Sequence, residues 1–321
     1  MKRRTFVLGS AAVAAWAPAL SAADGFAHPV KIIVPSAPGG FTDIIARYVS
    51  QVLTARIGQS VIVENRGGAG GVIGAVAVAQ STPDGYTLAM GNNNTHAMNV
   101  GLYRKLPYDP IASFAPIAFV GSAPTVLVVH PSSPFKTVHD LVAAAKSKPG
   151  ELTYGSGGTG ASSHLAAELL RQRAGIDIIH VPFKGNAPAT QALLGNQISF
   201  MFDTLPSVQP LAQAGRLRPL AGTALERIES LPGVPAMAET LPDFEVTAWV
   251  ALFAPAGTPK AMIDALDRET AALLADPAVI ARLKELGATP QTRRTAELGK
   301  YVTAEIEKWN GVISKAGIEQ Q

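Results

Sequence analysis

Short β-branched runs alternate with helical stretches along almost the whole chain, and that alternation restricts it to the α/β folds. Val30–Val34 and the runs at 61–63, 86–90, 126–129, 178–181 and 198–202 read as strands, most of them bounded by Gly, Pro, Asn or Asp. Several are apolar almost throughout, as strands of a parallel sheet are when helices cover both faces. Between them, Phe41, Ile44, Ile45, Tyr48, Val52 and Leu53 form one apolar stripe at helical spacing. A second helix is predicted to start at Thr137, with Asp140 completing a capping box. A third is predicted to start with Thr258 as its cap and Pro259 in the first turn. The longest helical run, 295–316, closes the chain.

Two long apolar segments, 117–129 and 246–255, are candidate crossings between domains. If the chain crosses at one and returns at the other, residues 24–123 and 250–321 form one domain. Residues 124–249 form the other. Trp249 then lies in the return crossing, where its surroundings change whenever the domains move. No repeat of 20–50 residues is present to suggest a solenoid.

The first residues carry an address. Lys2, Arg3 and Arg4 precede a short apolar core from Phe6 to Trp16 and the small residues Ser21-Ala22-Ala23. That core is far short of the ~20 residues that cross a bilayer, so residues 1–23 are expected to be a secretory signal cleaved near Ala23. The paired arginines fit the twin-arginine route and the general secretory route alike. Cleavage removes three basic residues from the total of 27 and no acidic residue, leaving 24 against 24. The sequence pI of about 9.1 therefore belongs largely to the leader. A neutral mature chain offers no basic surplus for nucleic acid or an anionic membrane. With no cysteine, disulfides, thiolate metal sites, a cysteine nucleophile and a lipidated N-terminus are excluded. A periplasmic protein that acts as a monomer is expected.

The most informative chemistry is a pair of strand–loop–helix junctions, Val34-Pro35-Ser36-Ala37-Pro38-Gly39-Gly40-Phe41-Thr42-Asp43 and Tyr154-Gly155-Ser156-Gly157-Gly158-Thr159-Gly160-Ala161-Ser162-Ser163-His164. Each sets glycines at a helix N-terminus, where unpaired N–H groups and the helix dipole favour an anion. Glycine lets the backbone approach a ligand without an intervening Cβ. Ser36, Thr42, Ser156, Thr159 and Ser163 add hydroxyls, and in open α/β sheets such loops lie at the strand ends where ligands bind. Either loop alone is equally well read as a tight turn. One in each domain is a better match to a clamp on a small carboxylate. Asp43 is expected to cap or orient the first loop. Asp203, after the run 198–202, either faces the cleft or serves as a buried cap.

The second loop also satisfies G-x-G-x-x-G after a strand, the dinucleotide fingerprint. Its acidic partner is poorly placed, because Asp177 precedes the strand 178–181 instead of ending it. The rival function is an exported NAD- or FAD-dependent oxidoreductase using residues 155–160. Other chemistry is weaker. The six histidines are scattered without an H-x-x-x-H pair, so no metal site is expected, and His164 is expected to pack at its helix start. Ser156 lacks the G-x-S-x-G elbow.

Beyond these loops, many ordered segments resemble the substrate-binding receptors of tripartite tricarboxylate transporters, the Bug-type receptors. They include Val34-Pro35, Pro38-Gly39-Gly40, Asp43, Ala46-Arg47, Val63-Glu64-Asn65-Arg66, Gly68-Ala69-Gly70-Gly71 and Pro83-Asp84-Gly85-Tyr86. Leu106-Pro107-Tyr108-Asp109-Pro110, His164-Leu165, His180-Val181-Pro182-Phe183-Lys184-Gly185 and Ala254-Pro255-Ala256-Gly257-Thr258-Pro259 continue the series. The resemblance covers essentially the whole mature chain. It implies a two-domain periplasmic binding fold of the Venus-flytrap kind, without catalytic residues, cofactor or metal. Such a receptor closes on a small organic acid, a di- or tricarboxylate, amino acid or aromatic acid, and presents it to integral membrane subunits. Carried over to this chain, the resemblance implies ligand contacts at Ser36, Pro38, Gly39, Gly40, Phe41, Thr42 and Asp43 on the first loop. On the second it implies Ser156, Gly157, Gly158, Thr159, Gly160 and Ser163, partly through ordered water, with Asp203, Asn92 and Thr95 as neighbours. Phe41 stands where a small residue is common in the family. A phenylalanine there would narrow the pocket or give it an apolar wall.

Overall fold

In the computed structural model, residues 26–183, 185–291 and 293–321 are described; the leader expected over 1–23 lies outside them. The strands are β1 (Val30–Val34), β2 (Val61–Asn65), β3 (Thr87–Asn92), β4 (Phe114–Val129), β5 (Thr153–Ser156), β6 (Ile179–Pro182), β7 (Phe200–Thr204), β8 (Arg218–Gly222) and β9 (Thr247–Pro255). The helices are α1 (Phe41–Ile57), α2 (Val72–Ala79), α3 (Asn99–Leu102), α4 (Val138–Ser147), α5 (Ser162–Ala174), α6 (Asn186–Leu194), α7 (Leu205–Gln213), α8 (Lys260–Ala275), α9 (Pro277–Glu285) and α10 (Thr295–Ala316). No described helix is long and apolar enough to cross a membrane.

The strands run in the order β2-β1-β3-β9-β4-β7-β5-β6, with β8 also on β4. One lobe is built on β1 with its parallel neighbours β2 and β3, the other on β5 with its parallel neighbours β6 and β7. Antiparallel β9 and β4 join them. Through Pro124, β4 pairs with β9; from Thr125 it pairs with β7 and β8. A single 16-residue strand thus belongs to both lobes, and its register shifts near Pro116 and Phe119 bend it between partners. The parallel pairs aim the C-terminal ends of β1, β3, β5 and β7 at the junction, which places both glycine loops there.

Each lobe has an apolar core of its own. In the first, Val30, Ile32 and Val34 pack against Ile45 and Val49 of α1 and Ile263 and Leu266 of α8. In the second, Val126, Val128 and Met201 pack against α6 and α7. A third cluster spans both lobes, from Phe119, Trp249 and Trp309 to Leu165, Leu170 and Phe202. Burying side chains of this size stabilises by ~2 kcal/mol each, so the lobes are joined by packing as well as by two strands. Helix α10 is central to that packing. Its last carbonyls, Val312 O and Ala316 O, accept hydrogen bonds from Gln172 and Arg171 of α5 at 2.9 and 3.3 Å.

Local sequence signals fare unevenly. Thr137 and Asp140 form the predicted capping box on α4. Thr258 does not cap α8: its hydroxyl donates to Pro255 O at 2.8 Å, and Pro259 is the N-cap residue. On α1 the fully buried face is Thr42, Asp43, Ile45, Ala46, Val49, Ser50 and Leu53, rotated from the predicted stripe. Phe41, Tyr48 and Val52 are partly buried at the margin of the core.

Candidate functional site

The first loop leaves β1 at Val34 and enters α1 at Phe41, with Gly40 as an N-cap residue that makes no side-chain capping bond. Pro38, Gly39 and Gly40 are exposed, whereas Thr42 and Asp43 are buried. Asp43 holds the loop from below. Its Oδ2 accepts the Gly39 N–H at 2.9 Å and Arg47 Nε at 3.0 Å, and its Oδ1 accepts Asn65 Nδ2 at 2.9 Å. Burial alone would raise the Asp43 pKa, but the bonds from Arg47, Gly39 and Asn65 outweigh it and hold the carboxyl below its ordinary value. Asn65 also donates to Ser36 O at 3.1 Å. Ser36 Oγ is buried and has no partner among the described residues, an unusual condition for a hydroxyl.

The end of β3 joins this group. Asn92 Nδ2 reaches Thr42 Oγ1 at 3.3 Å, and Thr95 N–H donates to Asn92 Oδ1 at 3.1 Å. Ser36, Gly39, Thr42, Asp43, Asn92 and Thr95 are therefore one connected assembly. Phe41, at the start of α1, is partly buried. Its ring packs against the apolar core of its own lobe, which gives a large side chain at that position a structural partner.

The second loop links β5 to α5, whose N-cap residue Ala161 makes no side-chain bond either. Ser163 Oγ accepts the Gly157 N–H at 3.0 Å and donates to Asn186 Oδ1 at 2.9 Å. Asn186 Nδ2 in turn donates to Asp203 Oδ1 at 2.7 Å. Asp203 lies inside β7 and not after it. It is buried, with Thr204 N–H and Thr190 Oγ1 as further donors at 2.7 and 3.3 Å. Burial is the largest influence and raises its pKa, against the opposing pull of Asn186, Thr204 and Thr190. Between the two readings of Asp203, this geometry favours the buried anchor.

Ser156 Oγ and His180 Nε2 are 2.6 Å apart, the spacing of a nucleophile and its base. Ser156 is fully buried, however, and its hydroxyl also bonds Gly158 O and Gly158 N–H, both at 3.1 Å. A nucleophile must be reachable, and this one is a staple inside its own turn. His164 Nδ1 accepts the Gly160 N–H at 3.0 Å, and Thr159 is exposed at the tip. No cluster of three or more metal-binding side chains occurs among the described residues.

The two groups meet edge to edge. Asn94 Nδ2, just past β3, donates to Gly160 O at 3.3 Å across the lobes. A cavity of about 180 Å3 beside this contact is lined by Asn94, Asn99, Leu102, Gly157 and Thr159. Among the described residues no hydrogen bond runs directly from 36–43 to 156–163. A larger cavity, about 810 Å3, lies against Ser122, Leu205, Arg293 and Glu305, and neither loop lines it. Size alone is a poor guide here, since the convergent donors lie at the loops.

Sequence reasoning missed Asn186, included Asn94 only as part of the strand end between Asn92 and Thr95, and quoted Asn65, Arg47 and His180 without giving them roles. Asn186 was within reach: Gly185-Asn186 follows β6 and opens α6, the same strand–glycine–helix pattern as the other two loops. For the dinucleotide reading, Asp177 is at the wrong end of the sheet. Gly150 N–H donates to Asp177 O at 3.1 Å, next to the start of β5, whereas a ribose-binding acid must stand at the glycine-loop end.

A family model described as "Tripartite tricarboxylate transporter family receptor" matches residues 45–318. The chain is 36% identical over 320 residues to Protein BugT of Bordetella pertussis, covering 99% of this chain and 98% of that relative. Rpa4515 of R. palustris, solved with adipate, superposes with a TM-score of 0.86 at 36% identity, covering 92% of this chain and 99% of its own. The periplasmic binding protein BugD superposes with a TM-score of 0.83 at 34% identity, covering 92% and 100%. The family is one of solute-binding receptors and not of enzymes, and nothing in these likenesses favours an oxidoreductase. A match over most of the length, on a two-lobed frame with its glycine loops at the junction, means that the chain belongs to the tripartite tricarboxylate transporter family of receptors.

Proposed function

We propose that this protein is a periplasmic receptor that binds a small organic acid between its lobes without turning it over. The observation that carries this reading is the pair of helix N-termini, α1 and α5, that reach the junction from opposite lobes with no side chain capping either. Free N–H groups at a helix start are worth most to an anion that replaces water there. The loop residues that do bond, Asp43 and Ser163, act on the outer turn and leave those N–H groups to the ligand. The partnerless hydroxyl of Ser36 is a further donor to the same place.

In this reading the ligand contacts are the uncapped N–H groups at the starts of α1 and α5 and the exposed backbone of Gly40 and Thr159, with hydroxyls from Ser36, Thr42 and Thr159. Gly39, Gly157 and Gly158, whose own N–H groups are bonded within the loops, let the ligand approach without a Cβ in the way. Asp43, Asn92, Thr95, Ser163 and Asp203 hold that surface in shape. The lobes are residues 24–123 with 250–321, and 124–249. The leader over 1–23 directs export and is cleaved near Ala23. The receptor works as a monomer that delivers its acid to integral membrane subunits of a tripartite tricarboxylate transporter. The adipate of Rpa4515 supports a dicarboxylate as the first ligand to try.

A thermal-shift panel tests the reading, because a ligand that binds only the native state raises the melting temperature. Four- to six-carbon diacids, tricarboxylates, amino acids and aromatic acids are compared with NAD and FAD. Stabilisation by one acid class is expected. Stabilisation by a dinucleotide and by no acid would overturn the assignment.

A further inference from the structure

The two glycine loops are built on the same plan with different acceptors. In the first, Gly39 precedes the N-cap residue Gly40, has φ +83°, and donates its N–H to the carboxylate of Asp43, the third residue of α1, at 2.9 Å. In the second, Gly160 precedes the N-cap residue Ala161, has φ +78°, and donates its N–H to the imidazole of His164, the third residue of α5, at 3.0 Å. Both bonds span four residues. Each resembles the reverse half of a capping box, with the third helical side chain reaching back one residue further than usual.

The acceptors differ in charge, and the surroundings explain how each is tolerated. The carboxylate of Asp43 is neutralised by Arg47, whose Nη2 lies 3.0 Å from Oδ1. Among the described residues no cation bonds to His164. Its ring is buried and stacked on His180 at 4.0 Å, with planes 16° apart, and both lie near parallel to Tyr154. To accept from Gly160, Nδ1 must carry no proton, so the ring is neutral. Burial, the neighbouring His180 ring and the charge of Arg171 all favour that form, lowering its pKa to about 3.

We propose that His164 is a positioning residue of the carboxylate site, the uncharged counterpart of Asp43, which shapes the second loop without adding a negative charge beside the bound anion. This rests on the receptor reading given above. The same residue sets the contact between lobes, because Gly160 O accepts Asn94 Nδ2 from the other lobe. A side chain at Gly160 would meet Leu102 Cδ1 at 2.6 Å. One glycine therefore receives its orientation from His164 and passes it to the interlobe contact.

The test is a set of three substitutions read in two ways, Gly160 amide hydrogen exchange and adipate affinity by calorimetry. His164→Asn keeps a neutral acceptor near the Nδ1 position; slow exchange and near wild-type affinity are expected. His164→Asp keeps the acceptor but adds charge, so exchange stays slow while adipate binds at least roughly tenfold more weakly. His164→Leu removes the acceptor, so exchange becomes fast and affinity falls by roughly tenfold or more. Slow Gly160 exchange in His164→Leu, or wild-type affinity in His164→Asp, overturns the proposal. If wild-type protein binds neither adipate nor any other acid of the panel, the receptor reading fails. The exchange series then still decides whether His164 builds the turn.

Discussion

Trp249, on β9, and Trp309, on α10, donate their indole N–H groups to one and the same carboxylate oxygen, Glu305 Oε2, each at 3.0 Å. Both rings are fully buried. Trp249 also lies against Phe119 and Tyr301, with ring centroids 6.1 and 5.6 Å away. One strand of the crossing pair is thereby tied to the helix that closes the chain. Replacing Glu305 by Leu leaves two buried donors without an acceptor, a cost of about 2–4 kcal/mol, readable as a lower urea midpoint. If closure bends β9, the intrinsic fluorescence changes with ligand. That change should disappear in Trp249→Phe and persist in Trp309→Phe. A ligand-bound protein whose Trp249 emission and radius of gyration both match the free form would show that β9 does not bend.

Gly40 and Gly158 give unequal tests of the loops, although the sequence makes them look alike. Gly40 has φ −82° and ψ 168°, and an added Cβ would meet only Ala37 O at 3.8 Å. Gly40→Val should stay folded, within ~0.5 kcal/mol of wild type, and lose organic-acid binding as its side chain covers the helix N-terminus. Gly158 has φ +120°, and its Cβ would lie 3.2 Å from Phe183 O. Gly158→Val is expected to lose about 1–3 kcal/mol of stability through backbone strain. Calorimetry on folded Gly40→Val decides the matter, and unchanged affinity there would place the ligand elsewhere.

Asp203→Ala should act on stability before it acts on selectivity. It leaves Asn186 Nδ2 and the Thr204 N–H, both 2.7 Å from Oδ1, without an acceptor in a buried place, at about 2–4 kcal/mol. Because Asn186 also receives Ser163, affinity for every acid of the panel should fall together. A variant of wild-type melting temperature with an altered ligand preference would return Asp203 to direct contact. The raised pKa of this carboxyl means that the folded protein holds its proton more tightly than the unfolded chain. Its contribution to stability therefore grows as pH falls through the raised value.

His96 works in the opposite direction. It is fully buried, stacked on Phe253 at 3.9 Å, with Nδ1 2.9 Å from Thr95 Oγ1, and burial lowers its pKa to about 3. Between that value and the ordinary 6.5 the unfolded chain binds a proton that the folded protein does not, so stability falls with pH across this window. The slope approaches ~1.4 kcal/mol per pH unit for each such group. Urea unfolding at pH 7.5, 6.5, 5.5 and 4.5 should show the loss beginning near 6.5, with a shallower slope in His96→Phe. Equal slopes in the two proteins would falsify the assignment.

The parts legible in the chain are those whose causes lie within a few residues. The Thr137–Asp140 capping box is an i, i+3 exchange, and the strand–glycine–helix junctions announce themselves by residue type. Thr258 failed the same kind of test because a carbonyl three residues back competed for its hydroxyl. The α1 stripe was displaced because Asp43, polar in the sequence, is buried by partners at 47 and 65. Asp203 fell inside β7 because pairing with β4 continues to Thr204, and no local signal reports where a partner strand ends.

Periodicity and glycine placement were enough to read an α/β chain with two anion-ready helix starts, because backbone donors at a helix N-terminus exist in any tertiary context. Ordered motifs along the chain pointed to its family. Tertiary contact alone gave hydrogen-bond partners to Asn186, Asn94 and Glu305. The Asn186–Asp203 bond spans 17 residues, Trp249–Glu305 spans 56, and Asn94–Gly160 spans 66. A hydrogen bond depends on distance and direction in space, and those are set by which strands share β4 and how α10 returns across both lobes. No count of residues along the chain contains that information.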